Sequence, residues 1–177
     1  MSERADVFFT LIESPIGTLY AAGTGEGICL LEFDGKERRK RQLAALSRRY
    51  GSVARGENAH LALLRRELDA YFAGRLRRFT VPLVLHGTDF EKQVWEALCR
   101  IPYGDTRTYG DVARELDVQE GFRAVGRANG RNPVSIVVPC HRVVGAGGKL
   151  TGYGGGLWRK AHLLALESGQ PGLPAAR

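Results

Sequence analysis

The sequence predicts an α+β protein in two parts, and three observations carry that reading. Runs rich in β-branched and aromatic residues flank a glycine-rich turn near the N-terminus. Two longer stretches of the first half repeat their apolar residues at helical spacing. Beyond the segment LHGTDF, three short helical patterns follow one another, two of them joined by a tight turn. With 177 residues, 44% hydrophobic and 25% charged, the chain has room for one compact unit or two small ones. The expected division is 1–86 for an N-terminal α/β domain, 87–168 for a mainly helical C-terminal domain and 169–177 for a flexible tail.

The elements follow in order. Val7 to Tyr20 and Gly27 to Phe33 read as a β-hairpin about the turn GTGEG, with Phe79 to Leu85 as a further strand. Between them, Glu37 to Tyr50 and Ala59 to Ala73 are helical, and Leu61, Leu64, Leu68 and Tyr71 form the buried stripe of the second. The run KERRKR at 36–41 reads as a solvated helix face interrupted by Glu37 rather than as a nucleic-acid patch. Thr88 stands three residues before Glu91, a capping box that opens a helix carrying Phe90, Val94, Trp95 and Leu98 on one face and ending before Pro102. Thr108 caps the next helix, through Val112, Ala113 and Leu116. After a break at Val118 to Gly121, a third runs near Phe122 to Asn129 and completes a helix-turn-helix pattern.

Composition narrows the class of function. No apolar stretch approaches the roughly 20 residues that cross a bilayer, and the acids of MSERADVFF do not suit a signal peptide, so the expectation is a soluble cytoplasmic protein. Cys29, Cys99 and Cys140 are too few and too scattered for a disulfide framework or a thiolate metal cage. The net charge is +7, and no acid lies between Glu120 and Glu167, whereas Arg123, Arg127, Arg131, Arg142, Lys149, Arg159 and Lys160 do. That window is a candidate anion-binding surface.

Arg123, Arg127 and Arg131 recur every four residues and project from one side of a continuous helix, drifting about 40° per step. The small residues Ala124, Gly126, Ala128 and Gly130 between them let the helix approach a groove closely; the same pattern also fits a plain solvated face. Downstream, the apolar run Val134 to Val138 reads as a strand that Pro139 interrupts, with the Cys140 thiol at its end. A thiol of ordinary pKa, about 8.5, is only a few per cent thiolate at neutral pH, so a working nucleophile needs a base or a cationic field. His141 and Arg142 are of those kinds. Neighbouring side chains of an extended segment point to opposite sides, so His141 reaches Cys140 directly only if the chain turns there, and the expected route is through a bridging water. The glycine-rich segment after it is not a phosphate loop, because Leu150 stands where a hydroxyl would follow Gly-Lys.

PCHRVVG, preceded by RAVGRANGRNP and followed by LTGYGGGLWRKAHLLALE, resembles the O6-alkylguanine-DNA alkyltransferases, also called methylated-DNA–protein-cysteine methyltransferases. FEKQVWEAL and IPYGDTRTYGDVA precede those blocks in the family's order, so the resemblance spans Phe90 to Glu167; SPIGTLYAAG and YFAG are similar to the family's N-terminal domain. The resemblance implies a ribonuclease H-like sheet in the first domain and a winged helix-turn-helix in the second. It implies a suicide repair protein that turns O6-alkylguanine, and with it O4-alkylthymine as a further candidate, out of duplex DNA. The protein would be a nucleoid-associated monomer, with cooperative binding along DNA left open, and no cofactor is implied.

By that resemblance Cys140 is the alkyl acceptor, His141 deprotonates it through a water, Glu167 orients His141, Asn132 holds the surrounding turn and Tyr109 serves the leaving guanine. The carbonyls of Cys140 and Val143 and the amide of Gly154 read the base, while Ser135 and Tyr153 wall its pocket. Arg123 fills the vacated stack from a recognition helix in the minor groove, with Ala124, Arg127, Asn129 and Arg131 on the same DNA face. The chain departs from the family in its DVQEGF turn and in the extra charge of Arg127. Some relatives bind zinc in the first domain, but here Cys29, His60 and His86 form no ligand cluster, so no metal is expected. Rival readings are a protein that recognises alkylated bases without repairing them, a thiol hydrolase that turns over, and a regulator selective for one DNA sequence.

Overall fold

Ser14 to Gly17 break the first apolar run into two strands, β1 (Val7–Ile12) and β2 (Leu19–Gly23), where the sequence suggested one. Pro15 cannot donate to a ladder, Gly17 sits at φ 109°, and the Ser14 hydroxyl donates to the Gly17 carbonyl at 2.6 Å to close the turn. The computed structural model describes residues 7–118 and 121–170, and the chain divides into two units, 1–85 and 86–177.

In the first unit, β2 runs through the Thr24–Gly27 turn into β3 (Ile28–Phe33), giving an antiparallel meander with Ile12 opposite Leu19 and Leu19 opposite Phe33. Helix α1 (Lys36–Tyr50) leads to β4 (Val53–Arg55), a strand too short to show in the sequence, which pairs parallel to β1 and sets the order β3-β2-β1-β4. No residue of α1 is fully buried. Arg38 and Arg39 reach Glu32 and Asp34 at 3.1 Å each, as a solvated KERRKR face would. Leu46 and Tyr50 on its other side pack against Val7, Tyr20 and Leu30 of the sheet. Helix α2 (Ala59–Phe72) starts where Asn58 accepts from the Leu61 amide at 2.9 Å, and it buries the expected stripe of Leu61, Leu64, Leu68 and Tyr71. Phe79 to Leu85 does not become the expected strand. It makes a single bridge, Leu83 to Ile28, because Pro82 has no amide to continue the ladder, and Glu67 holds its start by accepting from the Thr80 and Val81 amides at 2.8 and 3.1 Å.

In the second unit, both halves of the Thr88–Glu91 capping box form at 2.9 and 3.2 Å and open α3 (Asp89–Cys99), which buries Val94, Trp95, Ala97 and Leu98. A second capping box, Thr108 with Asp111, joins the short strand β5 (Arg107–Thr108) to α4 (Tyr109–Glu115). Helix α5 (Phe122–Gly130) follows; of the unusual turn before it, residues 119 and 120 lie outside the described residues, as does 171–177 of the expected tail. The Trp95 indole donates to the Ala128 carbonyl at 2.9 Å and ties α3 to α5. A tight turn at Cys140–Arg142 leads into β6 (Val143–Val144), parallel to β5, and α6 (Leu157–Glu167) closes the unit. The sheet-bearing first unit and the mainly helical second make the α+β class expected. Among the described residues no helix is long and apolar enough to cross a membrane.

Trp95 is the largest fully buried side chain among the described residues and anchors the helix that carries the arginines. Trp95→Ala is expected to cost about 3–5 kcal/mol of stability, measured by urea unfolding followed by circular dichroism.

Candidate active site around Cys140

The segment expected to be a strand, Val134 to Val138, is instead wound into consecutive tight turns. The Val138 amide donates to the Val134 carbonyl at 3.0 Å and the Cys140 amide to the Val138 carbonyl at 2.8 Å. Asn132 makes this possible from inside the fold: its Oδ1 accepts from the Val134 amide at 2.9 Å and its Nδ2 donates to the Val138 carbonyl at 2.8 Å. Ile136 is held at φ 73°, a conformation that costs a non-glycine residue about 1–3 kcal/mol. Burial of Val134, Ile136 and Val138 offsets that cost, and the apolar pattern that looked like a strand is the inner lining of a loop.

Cys140 opens a 3-10 turn, so of the two cases the sequence allowed, extended or turning, the chain turns at His141. His141 is fully buried, and its Nε2 lies 2.8 Å from Glu167 Oε1. A carboxylate only accepts, so Nε2 carries the proton and Nδ1 carries the lone pair. Nδ1 is buried with no hydrogen-bond partner. Burial, which outweighs the attraction of Glu167, holds the imidazole below its ordinary pKa and therefore neutral. This is the protonation state of a base.

Glu167 is the junction of the site. Burial pushes its carboxyl up, but hydrogen bonds from His141 and Arg142 outweigh burial and hold it at about 2. Arg142 grips it from two sides, Nε to Oε2 at 2.8 Å and Nη2 to Oε1 at 3.0 Å, and places Nη1 on the Ile101 carbonyl at 2.6 Å. Arg142 is therefore engaged with Glu167, and the cationic field expected of it beside the thiol is not its role. Gly104, at φ 86°, passes so close that a Cβ there would lie 3.0 Å from the Glu167 carbonyl oxygen.

A second buried cation of the site is one the sequence reading assigned to the surface. Lys160 is fully buried, donates to the carbonyls of Val143 at 2.5 Å and Thr151 at 2.8 Å, and interacts electrostatically with Cys140. Burial lowers its pKa. The signal was present: Lys160, Leu163 and Glu167 fall at helical spacing on the one buried face of α6. Tyr109, first residue of α4, donates to the Thr151 carbonyl at 3.3 Å, and its ring centre is 5.9 Å from the Lys160 ammonium. Burial pushes its phenol above the ordinary value and keeps the proton on oxygen.

Cys140, His141, Glu167, Asn132, Tyr109 and Val143 are thus linked by hydrogen bonds, sequence neighbours or Lys160. Ser135 is buried in the turn held by Asn132; Tyr153 is half-buried and Gly154 exposed on the segment between Thr151 and α6. Asn129, expected on the DNA face, is instead 4% exposed and donates to the Cys140 carbonyl at 3.4 Å. Helix α5 ends at Gly130, so Arg131 sits at its C-cap and pairs with Glu91 at 2.9 Å while its side chain stays 69% exposed; Arg123 and Arg127 are exposed beside half-buried Ala124.

Comparison with known proteins bears on this arrangement. Residues 7–85 match the 6-O-methylguanine DNA methyltransferase ribonuclease-like domain, and residues 89–169 match the DNA binding domain of the same name. The chain belongs to the 6-O-methylguanine DNA methyltransferase family. A methylated-DNA–protein-cysteine methyltransferase of Methanosarcina barkeri is 44% identical over 164 residues, 91% of this chain and 97% of the relative. One of Mycobacterium leprae is 46% identical over 159 residues, 90% and 91% of the two chains. Among solved structures, Mycobacterium tuberculosis OGT in complex with DNA superposes with a TM-score of 0.79 at 44% identity, covering 92% of this chain and 93% of that one. The O6-methylguanine-DNA methyltransferase of Pyrococcus kodakaraensis gives 0.61 at 29% identity, covering 91% and 98%.

The family's site here is acid-sensitive through two groups whose pKa values fall on folding. His141 resists protonation in the fold but not in the unfolded chain, so stability falls as pH drops below about 6.5. The Glu167 contribution is complete above its unfolded value of about 4.3 and is lost as pH falls towards about 2. Both tryptophans lie in the second unit, so the urea midpoint read by their fluorescence should decline in these two stages. A midpoint unchanged across that range contradicts the assignment.

Proposed function

We propose that the protein repairs O6-alkylguanine in duplex DNA by moving the alkyl group to the sulfur of Cys140, once per molecule. The observation that carries the reading is the neutral, buried His141, whose Nε2 is anchored on Glu167 while Nδ1 has no partner. In this mechanism the thiol proton passes through a bridging water to Nδ1, and Glu167 stabilises the imidazolium that forms. The thiolate attacks the alkyl carbon. A sulfur–carbon bond forms as the carbon–O6 bond breaks, and the electron pair stays with guanine. Tyr109, its proton retained by burial, donates to the departing base. Lys160 supports the developing thiolate and holds the Val143 carbonyl in place. That carbonyl keeps a second lone pair for the exocyclic amine of the base. The Cys140 carbonyl and the Gly154 amide complete its recognition, between Ser135 and Tyr153. Donor and acceptor supply every atom of the reaction.

The base must leave the helix to reach a buried sulfur, at a cost of a few kcal/mol, least for a poorly paired lesion. Exposed Arg123 enters the gap it leaves, and Arg127 and the small residues of α5 lie along the groove. The match of residues 89–169 to a DNA binding domain, and the likeness to a relative solved in complex with DNA, support the second unit, which includes α5, as the part that meets DNA. One acceptor thiol and no second copy are needed, so the reading includes a monomer acting on DNA in the cytoplasm. The relatives named above are methyltransferases, and nothing favours recognition without repair.

Incubation with duplex DNA containing O6-methylguanine should add a single methyl per molecule, on the peptide bearing Cys140, as read by intact mass and peptide mapping. Repeated turnover, or methyl on Cys29 or Cys99, overturns the reading. Arg123→Ala should slow repair of the duplex at least about tenfold relative to reaction with the free base, since only the duplex requires extrusion. Equal slowing of the two substrates would remove Arg123 from that step.

A further inference from the structure

Phe122 is half exposed, at 50%, the highest value among the large apolar side chains exposed in the described residues. It is the first residue of α5, immediately before Arg123, whose guanidinium lies over its ring at 5.6 Å from the centroid. One turn along the same side of the helix is Gly126, where a Cβ would stand 3.8 Å from the Tyr109 ring; one turn further is Gly130, which has nothing within 4 Å. The row Phe122, Gly126, Gly130 is therefore bare backbone except for one aromatic ring, and it runs beside the row of Arg123 and Arg127. Arg123 and Arg127 are both exposed on this helix and give it the charge complement of a polyphosphate backbone, while Arg114 and Asp117, of opposite sign, line the recess beside Phe122.

An aromatic ring left in water recovers its hydration cost only when something apolar covers it, and the faces of bases, opened where a nucleotide leaves the stack, are apolar surfaces of a duplex. Proteins that enter the minor groove commonly insert such a ring between or against base steps. We infer that Phe122 is a DNA-contacting residue that works with Arg123: its ring packs against the bases bordering the vacated position while the guanidinium fills the gap. The stacked pair seen in the free protein holds both groups at the leading end of α5. This rests on the reading of α5 as the DNA face, and it adds an apolar contact to a face otherwise made of charge and backbone.

The test is equilibrium binding to a duplex carrying O6-methylguanine across a salt series, with Phe122→Ala, Phe122→Tyr and Arg127→Ala each compared with their parent in a Cys140→Ser background that leaves the lesion intact. An aromatic contact releases no counterion. Phe122→Ala should therefore weaken binding about tenfold at every salt concentration with the salt slope unchanged, while Arg127→Ala lowers the slope by about 0.9. Phe122→Tyr keeps the ring and should bind within about threefold of the parent. Unchanged affinity of Phe122→Ala, a loss that vanishes at high salt, or a Tyr variant as weak as the Ala variant would each overturn the inference. Methyl transfer is scored separately, in the same proteins with Cys140 retained. A parent that binds but takes no methyl defeats the proposed repair and leaves Phe122 to be judged by the binding series, and a parent that repairs while Phe122→Ala binds equally well defeats Phe122 alone.

Discussion

The second unit turns on one buried carboxylate. Glu167, at the C-terminal end of α6, accepts from His141 and, twice, from Arg142, and its second oxygen receives the Gly104 amide at 3.4 Å. A carboxylate placed there without those donors would be strongly unfavourable, because burial alone pushes it towards protonation. With them it remains charged and locks three segments that are far apart in sequence: the loop at Gly104, the turn at Cys140–Arg142 and the last turn of α6. The cost of burying the charge is thus tied to geometry, since the pair of donors from one 3-10 turn can meet the two oxygens only when His141 and Arg142 are both in place.

That lock determines the chemistry available to the thiol. By accepting the hydrogen bond that Nε2–H of His141 donates, Glu167 leaves Nδ1 as the basic atom, and burial keeps the ring neutral. Arg142 neutralises the carboxylate, so the cation left to influence Cys140 is Lys160, which bridges the Val143 and Thr151 carbonyls. Low local polarisability makes each of these charges matter more than it would at the surface. Tyr109 meets the same Thr151 carbonyl, and so the proposed leaving-group donor and the buried ammonium share an anchor.

The face presented by α5 is organised differently, by what it lacks. Arg131 is drawn to Glu91 and Asn129 turns inward to the Cys140 carbonyl, so the helix joins the reactive turn on one side and exposes Arg123, Arg127 and Phe122 on the other. Trp95, through the Ala128 carbonyl, fixes that helix against α3. The same nine residues therefore contribute to the floor of the site and to the surface over which DNA is proposed to lie.

Local rules made much of this legible in the chain. The capping box at Thr88, the start at Thr108, the stripe of α2 and the solvated face of α1 depend on contacts within a few residues, and the cysteine motif with its flanking blocks pointed to the family. Other features depend on partners distant in sequence. Val134 to Val138 has the apolar pattern of a strand, yet Asn132 and the burial around it wind the segment into turns. The Ser14–Gly17 turn was hidden in one long apolar run, and β4 exists only because β1 offers it an edge. The charges divide in the same way: residue types alone showed seven cations in an acid-free window, but only the packing of α6 and the position of Glu167 decided that Lys160 and Arg142 are interior while Arg123 and Arg127 meet solvent. Pattern and propensity act over one or two turns of chain, whereas the burial that sets a side chain's protonation and partners is a property of the folded whole.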